Sequence, residues 1–203
     1  MNLPAANHQT SIRVVKIGGS LLESKDSPVQ ISRWLERQPK IKTVWIVGGG
    51  QRVDSIRRWD QMFCLNSEEA HWICISLMDL NSQLVQTWFP DWDTCEDMER
   101  LTTETNVDNV NFKAGRWLKQ NADLLPCSWD TTSDSISAQL AKSIGASELV
   151  LLKSSMPPEP TTVHNLSSIG YLDCHFPNVL ENTPLRLVNV RDPAYPEMRL
   201  QEV

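Results

Sequence analysis

Apolar residues follow two rhythms along this chain. Ile12 to Ile17, Thr43 to Val47 and Glu148 to Leu152 are short runs rich in β-branched residues and leucine, with few polar interruptions. Runs of that length and density belong in a sheet covered on both faces. Between them the period lengthens. Val29 to Arg37 places Ile31, Trp34 and Leu35 at i, i+3 and i+4, and Gln51 to Phe63 reads as a helix with Val53, Ile56 and Trp59 facing inward. Glu68 to Phe89 reads as one long helix, and Ser133 to Ile144 repeats Ile136, Leu140 and Ile144 every four residues until Gly145 stops it. Residues 90–111 are polar and poorly periodic, which predicts loop with a strand or two. Lys113 to Gln120 predicts a short helix, Ala122 to Leu125 a strand, residues 154–160 with three prolines a loop, and Leu185 to Val190 a closing strand. Strands alternating with helices at this spacing predict an α/β fold with a mostly parallel sheet. Residues 1–11 read as a flexible leader and 12–203 as a single domain.

Composition narrows the partners. The chain has 203 residues, 40% of them hydrophobic and 22% charged, with a net charge of -6. That balance argues against a nucleic-acid or anionic-membrane binder, since either needs a basic face. The five cysteines form no CxxC pair and no zinc spacing with histidine, so no metal site is expected. An odd cysteine count without a pairing pattern suits reduced thiols, and no apolar run approaches a membrane span. The expectation is a cytoplasmic protein.

Candidate chemistry gathers at the glycines. Five of the eight sit in two clusters, Gly18-Gly19 and Gly48-Gly49-Gly50, each at the C-terminal end of an expected strand. In an open parallel sheet that edge binds ligands, and glycine lets backbone N–H groups close around an anion. Gly49 is the candidate for a positive φ. Lys16, two residues before the first cluster, is either a strand-end lysine that snorkels to water or a cation for a transferring phosphoryl group. Neither loop has the GxxxxGK[ST] spacing of a P-loop. Thr132 or Ser133 should cap the helix that follows, with Asp134 in its first turn; helix capping explains these residues, and so does a phosphate site. Lys153 ends the next strand at the same sheet edge as Lys16. Arg52 is placed to clamp an acceptor phosphate, whereas Arg57 and Arg58 read as surface residues. His71 and His175 read as structural, and the eight tryptophans as core or interface residues rather than a stacking platform.

Four strings go further. VVKIGGSLL (Val14 to Leu22), VWIVGGGQRVD (Val44 to Asp54), SWDTTSDSISAQLA (Ser128 to Ala141) and LVLLK (Leu149 to Lys153) resemble the amino acid kinase superfamily, which includes acetylglutamate, aspartate, glutamate, carbamate and uridylate kinases. TSDS after the SW pair, LDCHFPNVL (Leu172 to Leu180) and VNVRDP (Val188 to Pro193) are most similar to its aminomethylfuranylmethyl phosphate kinase branch, which serves methanofuran biosynthesis. The resemblance implies a three-layer αβα sandwich, use of Mg2+ and ATP, a small-molecule substrate, and homo-oligomers. It implies that Lys16, Gly18, Gly19 and Ser20 hold the ATP phosphates and that Gly48, Gly49 and Gly50 hold the acceptor anion. Asp134 would organise the lysines, Thr132 and Ser133 would lie near the phosphates, and Lys153 near the nucleotide; Lys16, Asp134 and Lys153 are the expected catalytic set. The chain departs from the family after Lys153, where SSMPPEP replaces an Asp-Gly turn. The activity implied is phosphoryl transfer from ATP to a small anionic substrate, a phosphomonoester. A carboxylate kinase and a catalytically silent ligand-binding member are the alternatives.

Overall fold

The computed structural model describes residues 11–103, 108–158 and 162–200. Its centre is one seven-stranded sheet in the order β3-β4-β2-β1-β5-β6-β7. The strands are β1 (Ile12–Ile17), β2 (Lys42–Val47), β3 (Asp93–Cys95), β4 (Asn109–Phe112), β5 (Glu148–Lys153), β6 (Leu185–Asn189) and β7 (Glu197–Leu200). Every neighbouring pair is parallel except β6 with β7. Parallel strands need crossovers, and the helices supply them: α1 (Ser27–Glu36), α2 (Arg52–Phe63), α3 (Ser67–Trp88), α4 (Met98–Thr103), α5 (Gly115–Gln120), α6 (Ser133–Ser143), α7 (Val163–Ser168) and α8 (Phe176–Leu180). This is the expected three-layer α/β sandwich.

Alternation along the strands divides the core in two. Val14, Val44, Ile46, Leu149, Leu151 and Leu187 face one layer, where Ile136 and Leu140 of α6 and Phe176 of α8 cover them. Val15, Ile17, Trp45, Val47, Val150 and Leu152 face the other, under Ile31 and Trp34 of α1. There Trp45 stacks on Trp92 at 4.3 Å and Trp92 on Phe89 at 4.1 Å, while Trp34 meets Trp45 edge-on. Because both faces are covered, the central strands read as unbroken apolar runs. That is why β1, β2 and β5 were visible from sequence.

The structure corrects the expected pattern in several places. Residues 122–124 form a 3-10 turn rather than a strand; Leu124 is exposed and Leu125 alone buries. The strand expected over Leu185 to Val190 is present as β6, but it is followed by β7, a polar edge with Glu197 and Arg199 exposed. The polar stretch 90–111 holds the strands expected of it, β3 and most of β4, but α4 lies between them where loop was expected. Trp59 is 49% exposed instead of facing inward, next to Met62 and Phe63, which are also exposed. The positive φ falls at Gly50 (66°) and not at Gly49. The leader falls outside the described residues, Ser11 excepted. Among the described residues no helix is long and apolar enough to cross a membrane.

Candidate active site

The two glycine loops leave the C-terminal ends of adjacent strands, β1 and β2, and turn against each other. Gly18 N–H donates to Leu152 O at 2.9 Å and Gly48 N–H to Ile17 O at 3.0 Å, extending the ladder one step past the strands. A Cβ on Gly19 would lie 2.2 Å from the Gly50 nitrogen, so the loops meet backbone to backbone. Only glycine permits that approach. Asn81 of α3, 1% exposed, donates its amide to the carbonyls of Gly48 (2.8 Å) and Gly49 (2.9 Å), tying the second loop to the long helix.

Beneath the loops Lys16, Asp134 and Lys153 form a buried bridge. Lys16 Nζ donates to Asp134 Oδ1 and Lys153 Nζ to Asp134 Oδ2, each at 2.9 Å. Burial would push the Asp134 carboxyl up, but Lys153 and Lys16 together outweigh it and hold the group far below the usual carboxylate range. Burial lowers the Lys153 ammonium from its ordinary value; Asp134 opposes that shift and Lys16 adds to it. Two cations thus share one carboxylate, which leaves a surplus positive charge at a sheet edge lined by backbone amides. Lys153 also donates to the Tyr171 carbonyl at 3.0 Å, with its ammonium 5.0 Å from the Tyr171 ring centre.

Local structure explains how Asp134 reaches both lysines. Thr132 is extended at the start of α6 and its hydroxyl accepts from Asp134 N–H at 3.3 Å, so the cap and the site use the same turn. Asp173 holds that turn from outside. Its carboxylate accepts from Thr132 N–H (2.9 Å), Thr132 Oγ1 (2.8 Å), Ser135 N–H (2.9 Å), Ser135 Oγ and Phe176 N–H (2.8 Å), joining the starts of α6 and α8.

A cavity of about 200 Å3 opens beside the second glycine loop. Gly49, Gly50, Thr132 and Ser133 border it toward the bridge; Val53, Arg57, Ile75, Met78 and Trp129 are among its walls. His71 lines it as well, and burial lowers its imidazole pKa, so the ring is neutral at neutral pH. Arg57 is exposed, as expected, and also borders the cavity, its guanidinium 5.0 Å from the Trp129 ring centre. Arg52, the expected clamp, is not a wall residue: its guanidinium is about half exposed, 3.6 Å from Glu23 and 3.5 Å from Asn81 Oδ1. Ser20 sits at the rim of the first loop and bonds Ser154 at 3.1 Å, linking that loop to the turn that departs from the family.

The structure therefore brings together Lys16, Gly18, Gly19, Gly48, Gly49, Gly50, Thr132, Ser133, Asp134 and Lys153, and turns Arg52 aside. Sequence reasoning missed Asn81, Asp173 and Tyr171. Asp173 had a legible local signal, an acid three residues before Phe176 with proline next, which marks a helix start. Its second task, holding a turn about forty residues earlier in the chain, has no local signal.

The sheet topology and its helix layers are those of a class of protein, the amino acid kinase fold. Comparison with known proteins agrees. The chain is similar to the [5-(aminomethyl)furan-3-yl]methyl phosphate kinase of Methanocaldococcus jannaschii, 25% identical over 142 residues; the match covers 69% of this chain and 64% of that protein's length. In shape it is similar to the UMP kinase of Ureaplasma parvum (TM-score 0.64, 12% identity, 96% of this chain and 97% of that one). It is also similar to the uridylate kinase of Archaeoglobus fulgidus (TM-score 0.59, 17% identity, 86% and 89%). The aspartate kinase of Synechocystis matches too (TM-score 0.66, 14% identity), over 95% of this chain and 40% of its own. No family model matches the chain. The resemblance read from the four strings is borne out, and the proteins it points to are kinases.

Proposed function

We propose that this chain is an ATP-dependent small-molecule kinase that transfers a phosphoryl group to a phosphomonoester. The observation that carries this reading is the Lys16–Asp134–Lys153 bridge lying directly under two glycine loops in mutual contact. The site fits a nucleotide's phosphates: two glycine loops and two lysines converge on one edge, as anion binding demands. Among the described residues no group of three or more His, Cys, Asp or Glu is placed to hold a metal ion, so Mg2+ would arrive coordinated by the phosphates. When bound, Mg-ATP supplies the phosphoryl group and part of its charge neutralisation.

The chain's own contribution is positioning and electrostatics. Residues 18–20 hold the donor phosphates and residues 48–50 the acceptor anion. Lys16 and Lys153 draw off charge that builds on the transferring oxygens, and Asp134 keeps both ammonium groups aimed. Transfer is direct, with no covalent enzyme intermediate. A phosphomonoester is preferred to a carboxylate as acceptor because the similar protein of Methanocaldococcus jannaschii is named as a kinase of a phosphate ester, and that likeness supports a reaction in methanofuran-type cofactor synthesis. The exposed Trp59, Met62 and Phe63 favour self-association into a homo-oligomer.

A silent ligand-binding protein is the second reading, favoured by the turn after Lys153, Ser154-Ser155-Met156-Pro157-Pro158, which lacks the Asp-Gly pair of the family. Incubation with γ-labelled ATP, Mg2+ and a panel of phosphomonoesters and amino acids decides between them. Label transfer to a phosphomonoester is expected; label on an amino acid carboxylate selects the carboxylate kinase, and no transfer with no Mg-ATP binding at millimolar concentration selects the silent protein.

A further inference from the structure

We propose that Arg191 binds the donor: its guanidinium takes a phosphate of the nucleotide where the donor crosses the end of β5. This rests on the reading that residues 18–20 hold the donor phosphates and residues 48–50 the acceptor anion, and it adds a third cation to that site. Strand order sets the direction in which the donor must lie. The second glycine loop ends β2, on one side of β1, while β5 and β6 lie on the other. With the acceptor at the β2 loop, the rest of the donor leaves the first loop over the ends of β5 and β6. Both strands run parallel to β1, so their C-terminal ends share its edge.

Arg191 stands on that route. Val190 N–H donates to Lys153 O at 3.2 Å, a last rung between β5 and β6, and Arg191 is the next residue. Its Nη2 donates to Ser20 O at 3.0 Å. Because β6 lies two strands from β1, ~10 Å at ordinary strand spacing, the side chain spans the end of β5 to reach the first loop. Ser20 Oγ also bonds Ser154, the first residue past β5, at 3.1 Å, so three loops meet at Ser20. The backbone that carries Arg191 is fixed in advance. Arg191 N–H donates to Asn189 Oδ1 at 3.0 Å, Ala194 N–H to Asp192 Oδ1 at 2.9 Å, and the Tyr195 hydroxyl to Gln30 O of α1 at 3.2 Å. A cation set on such a loop loses little freedom when an anion binds. Its guanidinium is exposed and, among the described residues, bonds only the Ser20 carbonyl and meets no acid. Arg52, beside the second loop, has Glu23 at 3.6 Å instead. A guanidinium carries five N–H donors in a planar fork that matches phosphate oxygens, so Arg191 keeps donors for an incoming anion.

The test is calorimetric titration with Mg-ATP, without acceptor, on wild type and three variants. Arg191→Ala should weaken binding about thirtyfold, the scale of losing a hydrogen bond to a charged group. Arg191→Gln can still donate to Ser20 O but has no charge, and it should lose nearly as much. Arg191→Lys keeps the charge without the fork and should fall between Arg191→Gln and wild type. Wild-type affinity in Arg191→Gln with a loss in Arg191→Ala makes Arg191 a tether of the loops and overturns the proposal. Full affinity in Arg191→Ala, or a lysine variant no better than the glutamine one, overturns it as well; in each of these cases Mg-ATP still binds and the kinase reading stands. No Mg-ATP binding by wild type removes the kinase reading, and the role of Arg191 with it.

Discussion

The two ends of the central sheet carry the same ingredients to different ends. At the C-terminal end, Lys16 of β1 and Lys153 of β5 share Asp134. At the N-terminal end, Arg13 of β1 and Arg186 of β6 approach Glu148 of β5, at 3.7 Å and 2.9 Å. The arginine cluster is closed. Both guanidiniums lie 5.7 Å from the Trp34 ring centre, Arg13 donates to Thr43 at 2.8 Å, and Arg186 also reaches Gln38 at 2.8 Å and Glu197 at 3.3 Å. Two cations meet two acids there, with both guanidiniums beside the Trp34 ring. The lysine bridge hangs on the one carboxylate of Asp134 that both ammonium groups bond, with Asp173 adding only a longer-range attraction on Lys153, and it faces the glycine loops. Charge balanced by protein holds a fold together, whereas charge left over at a glycine-lined edge is set aside for a ligand.

The largest effect that would test this contrast is catalytic. Lys16→Ala should lower the rate of phosphoryl transfer about a thousandfold, the scale of losing one preorganised charge-stabilising group. Wild-type turnover in that variant would reduce Lys16 to a strand-end lysine. Next come the two carboxylates. Asp134→Asn leaves two buried ammonium groups without a counter-charge and should cost about 3 to 5 kcal/mol in denaturant titrations, together with activity. Glu148→Gln should cost about 2 kcal/mol, because Gln38 and Glu197 still hold Arg186, and should leave turnover unchanged. A turnover loss in Glu148→Gln matching that of Asp134→Asn would collapse the distinction between the two ends.

The pH profile sharpens it further. On the function proposed, Lys153 acts as a cation, and its folded pKa is lowered from the ordinary 10.5. Activity should therefore fall on the alkaline side below pH 10.5 as the ammonium is lost, and Asp134→Asn should move that limb lower still, since Asp134 opposes the shift. The Asp134 carboxyl is depressed, so its contribution to stability is fully present above its ordinary 3.8 and is lost only as pH falls below it. The smallest effect compares two glycines. Gly145 (φ 61°) has nothing within 4 Å of an added Cβ, so Gly145→Ala should cost about 1 kcal/mol from backbone strain alone and spare activity. Gly50→Ala (φ 66°) adds a contact 2.9 Å from Gly19 O and should reduce turnover as well. Equal melting shifts with equal turnover would show that the loop contact carries no function.

What was legible in the sequence follows from range. β1, β2 and β5 announced themselves because both their faces are buried, and the glycine pairs because backbone conformation is a local property. Lys16 and Lys153 could be placed at one sheet edge by counting to strand ends. β7 was invisible because an edge strand may alternate charged residues, and Glu197 and Arg199 look like loop. Trp59 misled because helical periodicity gives a face without saying whether anything covers it. The hold of Asn81 on the second loop and of Asp173 on the α6 turn spans more than thirty residues of chain, and no spacing rule reaches that far. Of the two arginines of α2, the exposed Arg57 is the one beside Trp129 and the cavity; five residues along a helix rotate a side chain by ~500°, and only the packing of Trp129 shows which of them borders the cavity.

The contact between Gly19 and Gly50 has a consequence for how such a protein can diversify. No side chain lies between the loops, so the gap a phosphoryl group must cross, on the function proposed, is set by main chain against main chain. The residues that would recognise the rest of the acceptor, Trp129, Met78 and His71 among them, stand apart from that contact. Substitution at those positions can exchange one acceptor for another without altering reach. A lineage built on this plan is free to change its chemical vocabulary while the distance over which it works stays inherited.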